Sequence, residues 1–248
     1  MAASVRGNRV TGERDFEQAW LDKLYGGVQA VAGEDVSRDV MGGSHTLSAD
    51  TPRREVIDWT RQSVEKLMSA VDEADARAVL TGCACQYPVS SLREVREAYA
   101  STGDLGLAHR MLQEQFRGFL RDVLALDEAL VQEIMGRGWG LAGVIRGSTI
   151  IATKIPKSGD LITYMEETDP GRRRQLYCHC PRIREILRDS EGGWPERVAE
   201  TYCYCGAGFY KGIWEEILQA PVSVDVLESV LMGDEVCKFA VQIASQEG

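Results

Sequence analysis

The sequence lacks any hydrophobic run long enough to cross a bilayer, which takes about 20 consecutive apolar residues. Its first residues also lack the apolar stretch of a secretory signal. Positive charge is scarce, because 28 Lys and Arg stand against 38 Asp and Glu, a formal net charge of −10. Nucleic-acid binding needs clustered Lys and Arg, so this balance argues against it. We therefore expect a cytoplasmic protein with neither a nucleic acid nor a membrane as its partner.

Several motifs that would indicate an activity are also missing. There is no phosphate-binding G-x-x-x-x-G-K-[ST], no dinucleotide-binding G-x-G-x-x-G after a strand, and no zinc-binding H-E-x-x-H. With only three histidines, no Ser-His-Asp or Cys-His arrangement can be identified. What remains is an ordinary globular composition, 44% hydrophobic and 27% charged, over 248 residues. This length supports one large domain or two small ones.

Residues 1–136 are predicted to be almost wholly helical, since apolar residues recur there at steps of three and four. Helices are expected over 15–31, 91–100, 105–126 and 127–136, with another beginning after Thr51-Pro52 and a loop over 33–50. From residue 137 the pattern changes to β-branched runs. Strands are predicted at 144–155, 161–166, 175–178, 222–231 and 236–243, and a helix at 207–218.

Strands grouped after a block of helices favour an α+β fold, with an antiparallel sheet packed on helices. We expect a helical region over 1–136 and a region over 137–248 that binds a metal and a small molecule. No linker forces two independent domains, so the two regions are expected to form one globule.

The seven cysteines are the most informative residues, and six of them form pairs of the type Cys-x-Cys. The pairs are Cys83-Ala84-Cys85, Cys178-His179-Cys180 and Cys203-Tyr204-Cys205. Thiolates suit Zn²⁺ and iron–sulfur clusters, because their soft sulfur donors match those metals. Four thiolates from the second and third pairs would complete a tetrahedral site, and the first pair could extend it or replace one pair. These six cysteines are the predicted ligands of zinc, with iron or an iron–sulfur cluster as the alternative.

Two other interpretations of the cysteines stay open. Cys180 precedes Pro181 and Cys205 precedes the helix predicted at 207–218, and a helix N-terminus lowers the pKa of a thiol. Either residue could then be the reactive thiolate of a redox or thiol-transfer protein. Alternatively the cysteines are buried and unreactive, as free cysteines often are. Cys237, which stands alone, is expected in the core or beside the site rather than as a ligand.

An enzymatic role would need groups that move protons. If a metal polarises a substrate or activates water, His179 and Glu215 are the candidates for proton transfer. A site closed by four cysteines would be structural, whereas three cysteines and a water would leave a position for catalysis.

The end of the chain resembles two known families. The residues concerned are Tyr202 to Lys211, then 222–231, then Gly233-Asp234 and the final strand with Cys237 and Phe239. This run is similar to the 4-vinyl reductase-like, hydrocarbon-binding domain and to the L-2-amino-thiazoline-4-carboxylate hydrolase-like family, over about residues 177–243.

That resemblance implies the α+β fold of the ligand-binding domains of nitric-oxide-sensor and Golgi-trafficking proteins. It also implies a small-molecule pocket, sometimes with a metal. Hydrolase activity is left open, as is a non-catalytic ligand-sensing role. Related folds often pair through helices, so a homodimer also stays open.

Overall fold

The computed structural model describes residues 7–48, 50–188 and 193–243, with side chains from residue 17 onward. Within these residues helices dominate the first part of the chain. They are α1 (Gly7–Val40), α2 (Arg53–Ala70), α3 (Glu73–Gly82), α4 (Val89–Thr102), α5 (Leu105–Gly118) and α6 (Glu128–Gly136). The second part contains β1 (Val144–Arg146), β2 (Thr149–Thr153), α7 (Leu161–Glu166), α8 (Pro170–Tyr177), α9 (Glu196–Leu218), β3 (Val222–Glu228) and β4 (Lys238–Ile243).

The four strands form one antiparallel sheet in the order β1-β2-β4-β3. Strand β4 lies in the middle, where Ala240 pairs with Ile151 of β2 and Val241 pairs with Val224 of β3. Helix α9 packs on β3 and β4 and also contacts α2, α3 and α4, so it joins the sheet to the helical region. The α+β class is confirmed, with an antiparallel sheet that follows and packs on helices.

Two predicted strands are wrong. Residues 161–166 form α7, where Leu161 and Tyr164 are buried with the three-residue spacing of a helix. Residues 175–178 fall at the end of α8, because the side chain of Asp169 caps its first turn by accepting a hydrogen bond from the Arg172 N–H. In the first segment the buried helical face outweighs the β-branched residues Ile162 and Thr163, and in the second the Asp169 cap starts a helix that continues to Tyr177.

The loop predicted over 33–50 is also wrong in its first half. Helix α1 continues to Val40, and only Gly33 departs from helical geometry, with φ 83° and ψ 177°. Beyond that bend Ser37 and Val40 are buried, and the Ser37 hydroxyl donates to the Tyr25 carbonyl at 2.9 Å. Helix α3 was not predicted, although Asp72 accepts a hydrogen bond from Asp75 N–H at its start.

Helix α9 begins eleven residues before the predicted start at 207, because it runs from Glu196. Its glycines permit close packing rather than marking a helix start. A Cβ atom on Gly208 would lie 2.1 Å from the Thr81 carbonyl oxygen, and one on Gly206 would lie 2.9 Å from the Phe239 ring. Cys203 and Cys205 therefore lie inside a helix that is clamped between α3 and the sheet.

Candidate functional site

Six cysteines from four separate segments line one cavity of about 100 Å³. Cys85 comes from the connection between α3 and α4, two more follow α8, two lie in α9, and the last precedes β4; they are Cys85, Cys178, Cys180, Cys203, Cys205 and Cys237. Five of the six predicted ligands thus reach one place, and Cys237 joins them. The sixth, Cys83, is buried and does not line the cavity.

The thiols surround the cavity instead of meeting at one point. Residues two apart on an α-helix project about 200° apart, so Cys203 and Cys205 reach different parts of the wall. The Cys203 thiol is 2.8 Å from the Ser229 hydroxyl, whereas Cys205 interacts electrostatically with Cys83 and Cys85. Across residues 7–48, 50–188 and 193–243, no three His, Cys, Asp or Glu side chains are already arranged to hold a metal ion.

Other thiols are also held by neighbouring polar groups. The sulfur of Cys180 lies 2.9 Å from the hydroxyl of Tyr202, and the Cys178 thiol points to the Cys180 carbonyl oxygen at 3.9 Å. Tyr177 fixes the last cysteine, because its hydroxyl accepts the Cys237 N–H at 2.9 Å and donates to the Lys154 carbonyl. Occupation of the cavity by a metal would require these thiols to exchange their present partners.

Desolvation raises the pKa of the Cys83 thiol to about 12 and raises the pKa of Cys178, Cys203 and Cys237 as well. It likewise raises the pKa of Cys180 and of Cys205, the two residues predicted to be reactive. The prediction of lowered pKa values is wrong for both, because neither lies at a helix N-terminus: Cys205 is inside α9 and Cys180 precedes a turn. In the absence of a metal these thiols are protonated at neutral pH.

Two cations face the thiols. Arg182, only 2% exposed, donates to the Glu17 carbonyl at 3.2 Å and to the Thr60 hydroxyl at 3.3 Å. Its Nε has no hydrogen-bond partner among the described residues. Lys154 lowers the pKa of Cys178, Cys180 and Cys237 and so opposes the effect of burial.

These cations have no carboxylate to neutralise them. The described residues that line the cavity include no Asp or Glu, and neither Arg182 nor Lys154 forms an ion pair with any described carboxylate. The indole N–H of Trp20 is a further donor without a partner in the described part of the chain; it faces Cys205, where it opposes the rise in pKa. The cavity therefore offers positive charge and N–H donors to an occupant with negative charge.

The two proton-transfer candidates lie in different places. His179 lines the cavity, and its Nε2 atom is 2.8 Å from the Ile155 carbonyl oxygen. His179 is exposed as a residue, but desolvation of its ring, together with Lys154, lowers its pKa, so the imidazole is neutral. Glu215 lies in an open groove outside the cavity, where its carboxylate accepts from Lys211 and from the Val222 N–H.

The sequence did not connect Trp20, Lys154 or Arg182 with the site. Trp20 is distant in the chain, on α1, and nothing in its local pattern separates it from other core residues. Arg182 carried a usable signal, because it stands two residues after Cys180, which was a predicted ligand.

A family of unknown function (DUF6144) matches residues 172–247, which is less than half of the chain. This segment includes five of the six cysteines that line the cavity, while Cys85, Trp20 and Lys154 lie before it. Comparison with curated proteins and with solved structures gave no match. No helix within the described residues combines the length and the apolar character needed to span a membrane.

Proposed function

We propose that this cavity binds a metal centre held by cysteine thiolates, in a cytoplasmic protein that also binds a small molecule beside it. The observation that carries the proposal is the pairing of six thiols with two cations and no lining carboxylate among the described residues. A metal held by four thiolates is an anion, because four negative sulfurs exceed the charge of Zn²⁺ or of an oxidised iron–sulfur core. Arg182 and Lys154 supply the charge that such a centre needs in a buried place.

Metal binding is also compatible with thiols that are protonated in the metal-free protein. A metal ion displaces the proton of each cysteine that it binds, so a raised pKa weakens binding at low pH without preventing it. A thiol nucleophile, in contrast, depends on free thiolate, which burial disfavours at Cys180 and Cys205. The balance favours a metal centre over a redox or thiol-transfer protein.

Zinc is the first candidate, and the shape of the cavity favours an iron–sulfur cluster as the second. A cavity needs about 10–15 Å³ to hold one water molecule. The volume of this cavity is about 100 Å³, so it has room for more than one atom. Thiols that are spread around this volume suit a cluster of several atoms, while a single zinc ion would require four of them to move inward.

The small-molecule ligand and hydrolytic activity remain proposals that rest on the resemblance to the hydrocarbon-binding and thiazoline-carboxylate hydrolase-like families. Of the proposed proton-transfer residues, His179 is the better placed, since it lines the cavity as a neutral imidazole. Glu215 is already held by Lys211 and Val222 in the groove.

Elemental analysis and absorption spectroscopy test the proposal on the full chain, purified anaerobically without added metal. We expect close to one zinc per chain, or several irons with sulfide and visible absorption. Less than about 0.2 metal per chain, both as purified and after anaerobic reconstitution, would contradict a metal centre. The double variant Cys178→Ser/Cys203→Ser should lose the metal, whereas Cys83→Ser, outside the cavity lining, should retain more of it.

A further inference from the structure

Cys85 lies between the surface and the other thiols of the cavity, of which Cys178 is buried and the rest are half-buried. It is the exposed member of the cysteines, and among the described residues it alone lines both the cysteine cavity and the open groove. The groove has a volume of about 1010 Å³ and is bounded by α3, α4, α9 and β3. A ligand in the groove therefore reaches a thiol that also belongs to the inner wall.

The segment that carries Cys85 is fixed at its base. Cys83 is buried at the end of α3, and the Lys23 ammonium donates to the Ala84 carbonyl at 2.6 Å. Residues 84–88 have no helical or strand structure before α4 begins at Val89. Cys85 thus projects from a short connection whose preceding residues are anchored on α1 and α3.

Cys205 lines the same cavity as Cys85. Cys85 and Cys180 both contribute electrostatically to the raised pKa of Cys205. Beside them Tyr87, in the groove, and Phe209, in the cavity, meet edge to face with ring centroids 6.3 Å apart. This aromatic contact is part of the wall between the groove and the cavity, and Cys85 lies at that wall.

We propose that Cys85 is the receiving thiol of the site, through which a thiophilic metal ion passes from a thiol carrier in the groove to the inner cysteines of the cavity. This inference rests on the proposed metal-binding function. In the first exchange the bond between the metal and the carrier sulfur breaks, a bond to the Cys85 sulfur forms, and the Cys85 proton passes to the carrier thiolate. In the second exchange the metal bonds to Cys205, whose proton passes to the Cys85 sulfur as that bond breaks.

Two buried donors make the inner position favourable for the transferred ion. Arg182, whose Nε–H has no partner among the described residues, and Trp20, whose indole N–H faces Cys205, line the cavity, where a thiolate bound to metal can accept from them. A metal ion captured at Cys85 therefore gains hydrogen-bonded thiolates when it moves inward.

The test measures uptake of Cd²⁺, presented as its glutathione complex, by the metal-free full chain. Stopped-flow absorbance of the cadmium–thiolate bond gives the rate, and its amplitude gives the amount bound. We expect Cys85→Ser to slow uptake by about tenfold or more, since ligand exchange depends on an accessible thiolate. Cys83→Ser, in the same pair but buried, should slow it much less.

Alkylation provides a second perturbation that does not depend on the folding of a variant. N-ethylmaleimide should modify Cys85 first among the seven cysteines, and the modified protein should take up Cd²⁺ as slowly as Cys85→Ser does. If Cys85→Ser or the alkylated protein takes up Cd²⁺ as fast as the unmodified wild-type protein, the proposal for Cys85 is overturned.

Refolding from urea in the presence of Cd²⁺ separates this proposal from the proposed function. We expect refolded Cys85→Ser to bind the metal, because refolding bypasses transfer through the groove. If only Cys85→Ser binds no Cd²⁺ after refolding, Cys85 is an obligatory ligand and its role as receiving thiol is overturned. If the wild-type protein binds no Cd²⁺ either from the glutathione complex or after refolding, the metal-binding function is overturned instead.

Discussion

The guanidinium of Arg182 lies 4.3 Å from the centre of the Trp20 ring, and the two side chains form one wall of the cysteine cavity. This contact links α1 to the segment that follows Cys180, across more than 160 residues of sequence. It places a permanent charge in the core. The hydrogen-bond acceptors of this charge among the described residues are both neutral: the Thr60 hydroxyl and the backbone carbonyl of Glu17. Such a charge costs free energy unless an anion compensates it.

Replacement of this arginine should therefore affect the metal-loaded protein more than the metal-free one. We expect Arg182→Met to reduce the stabilisation that metal gives by about 1.5–3 kcal/mol, the range of a hydrogen bond to a charged group. Urea denaturation with and without metal measures this difference. Arg184→Met is the matched control: Arg184 donates to Asp160 and to the Gln175 carbonyl, so its loss should destabilise both forms equally. An equal loss for Arg182→Met would contradict a compensating anion in the cavity.

The hydroxyl of Tyr177 should contribute measurably to stability. It accepts the buried Cys237 N–H and donates to the Lys154 carbonyl, so Tyr177→Phe leaves an amide without a partner. We expect a loss of about 1–3 kcal/mol in the free energy of unfolding. Tyr164→Phe is a comparable change in the same aromatic cluster, where the hydroxyl accepts from Arg173 at 3.3 Å and has no further hydrogen-bond partner among the described residues. We expect Tyr164→Phe to lose less free energy of unfolding than Tyr177→Phe in the same urea titration. Equal losses would argue against a bridging role of the Tyr177 hydroxyl.

The contact between α9 and α3 should tolerate no side chain at Gly208. A Cβ there would lie 2.1 Å from the Thr81 carbonyl oxygen and 2.8 Å from the Ala84 Cβ, so the segment before Cys85 must move. We expect Gly208→Ala to cost about 1–3 kcal/mol, as overpacking does. Gly212→Ala, one turn later in open space, should instead gain up to about 1 kcal/mol from helix propensity. Thermal unfolding of both variants distinguishes the contact from a general effect of alanine.

The buried thiols should make the metal-free protein sensitive to alkali. A cysteine ionises near pH 8.5 in the unfolded chain, whereas burial raises the pKa of Cys83 to about 12. Above pH 8.5 the unfolded state therefore binds fewer protons than the native state, and stability falls as pH rises.

The slope gives the test for this residue. Each such thiol contributes up to about 1.4 kcal/mol per pH unit between its unfolded and folded pKa values. Cys83→Ala should make the decline shallower by about this amount in urea titrations from pH 8 to 10, with chelator and reductant present. An unchanged slope would mean that the Cys83 thiol ionises normally in the native protein.

The sequence predicted those parts of the fold that local pattern determines. The final hairpin was found because β-branched runs flank Gly233, and most helices of the first region were found from their apolar stripes. The strand predicted at 161–166 was wrong because the burial of Tyr164 depends on neighbouring elements, and the one at 175–178 was wrong because the local helix start at Asp169-Pro170 was not used in the prediction. The predicted helix at 207–218 was shorter than α9 because Gly206 and Gly208 suggest a helix boundary in the sequence. In the structure these glycines instead allow the close approach of Thr81 and Phe239.

The convergence of the cysteines was predictable, but their surroundings were not. Equal spacing in three pairs indicated a common site, and five of the six predicted ligands do line one cavity. The spacing does not reveal that Cys203 and Cys205 lie inside a helix, which separates their directions. Nor does it reveal the buried Arg182, because its position depends on packing against Trp20 of α1.

The cavity also depends on the order in which the chain is made. Cys83 and Cys85 leave the ribosome before any of the strands, whereas Cys237 arrives with β4, which pairs with both β2 and β3. The wall of the cavity is incomplete until that last strand is placed. The complete cavity therefore forms only after nearly the whole described chain has been made, although its first cysteines are present much earlier.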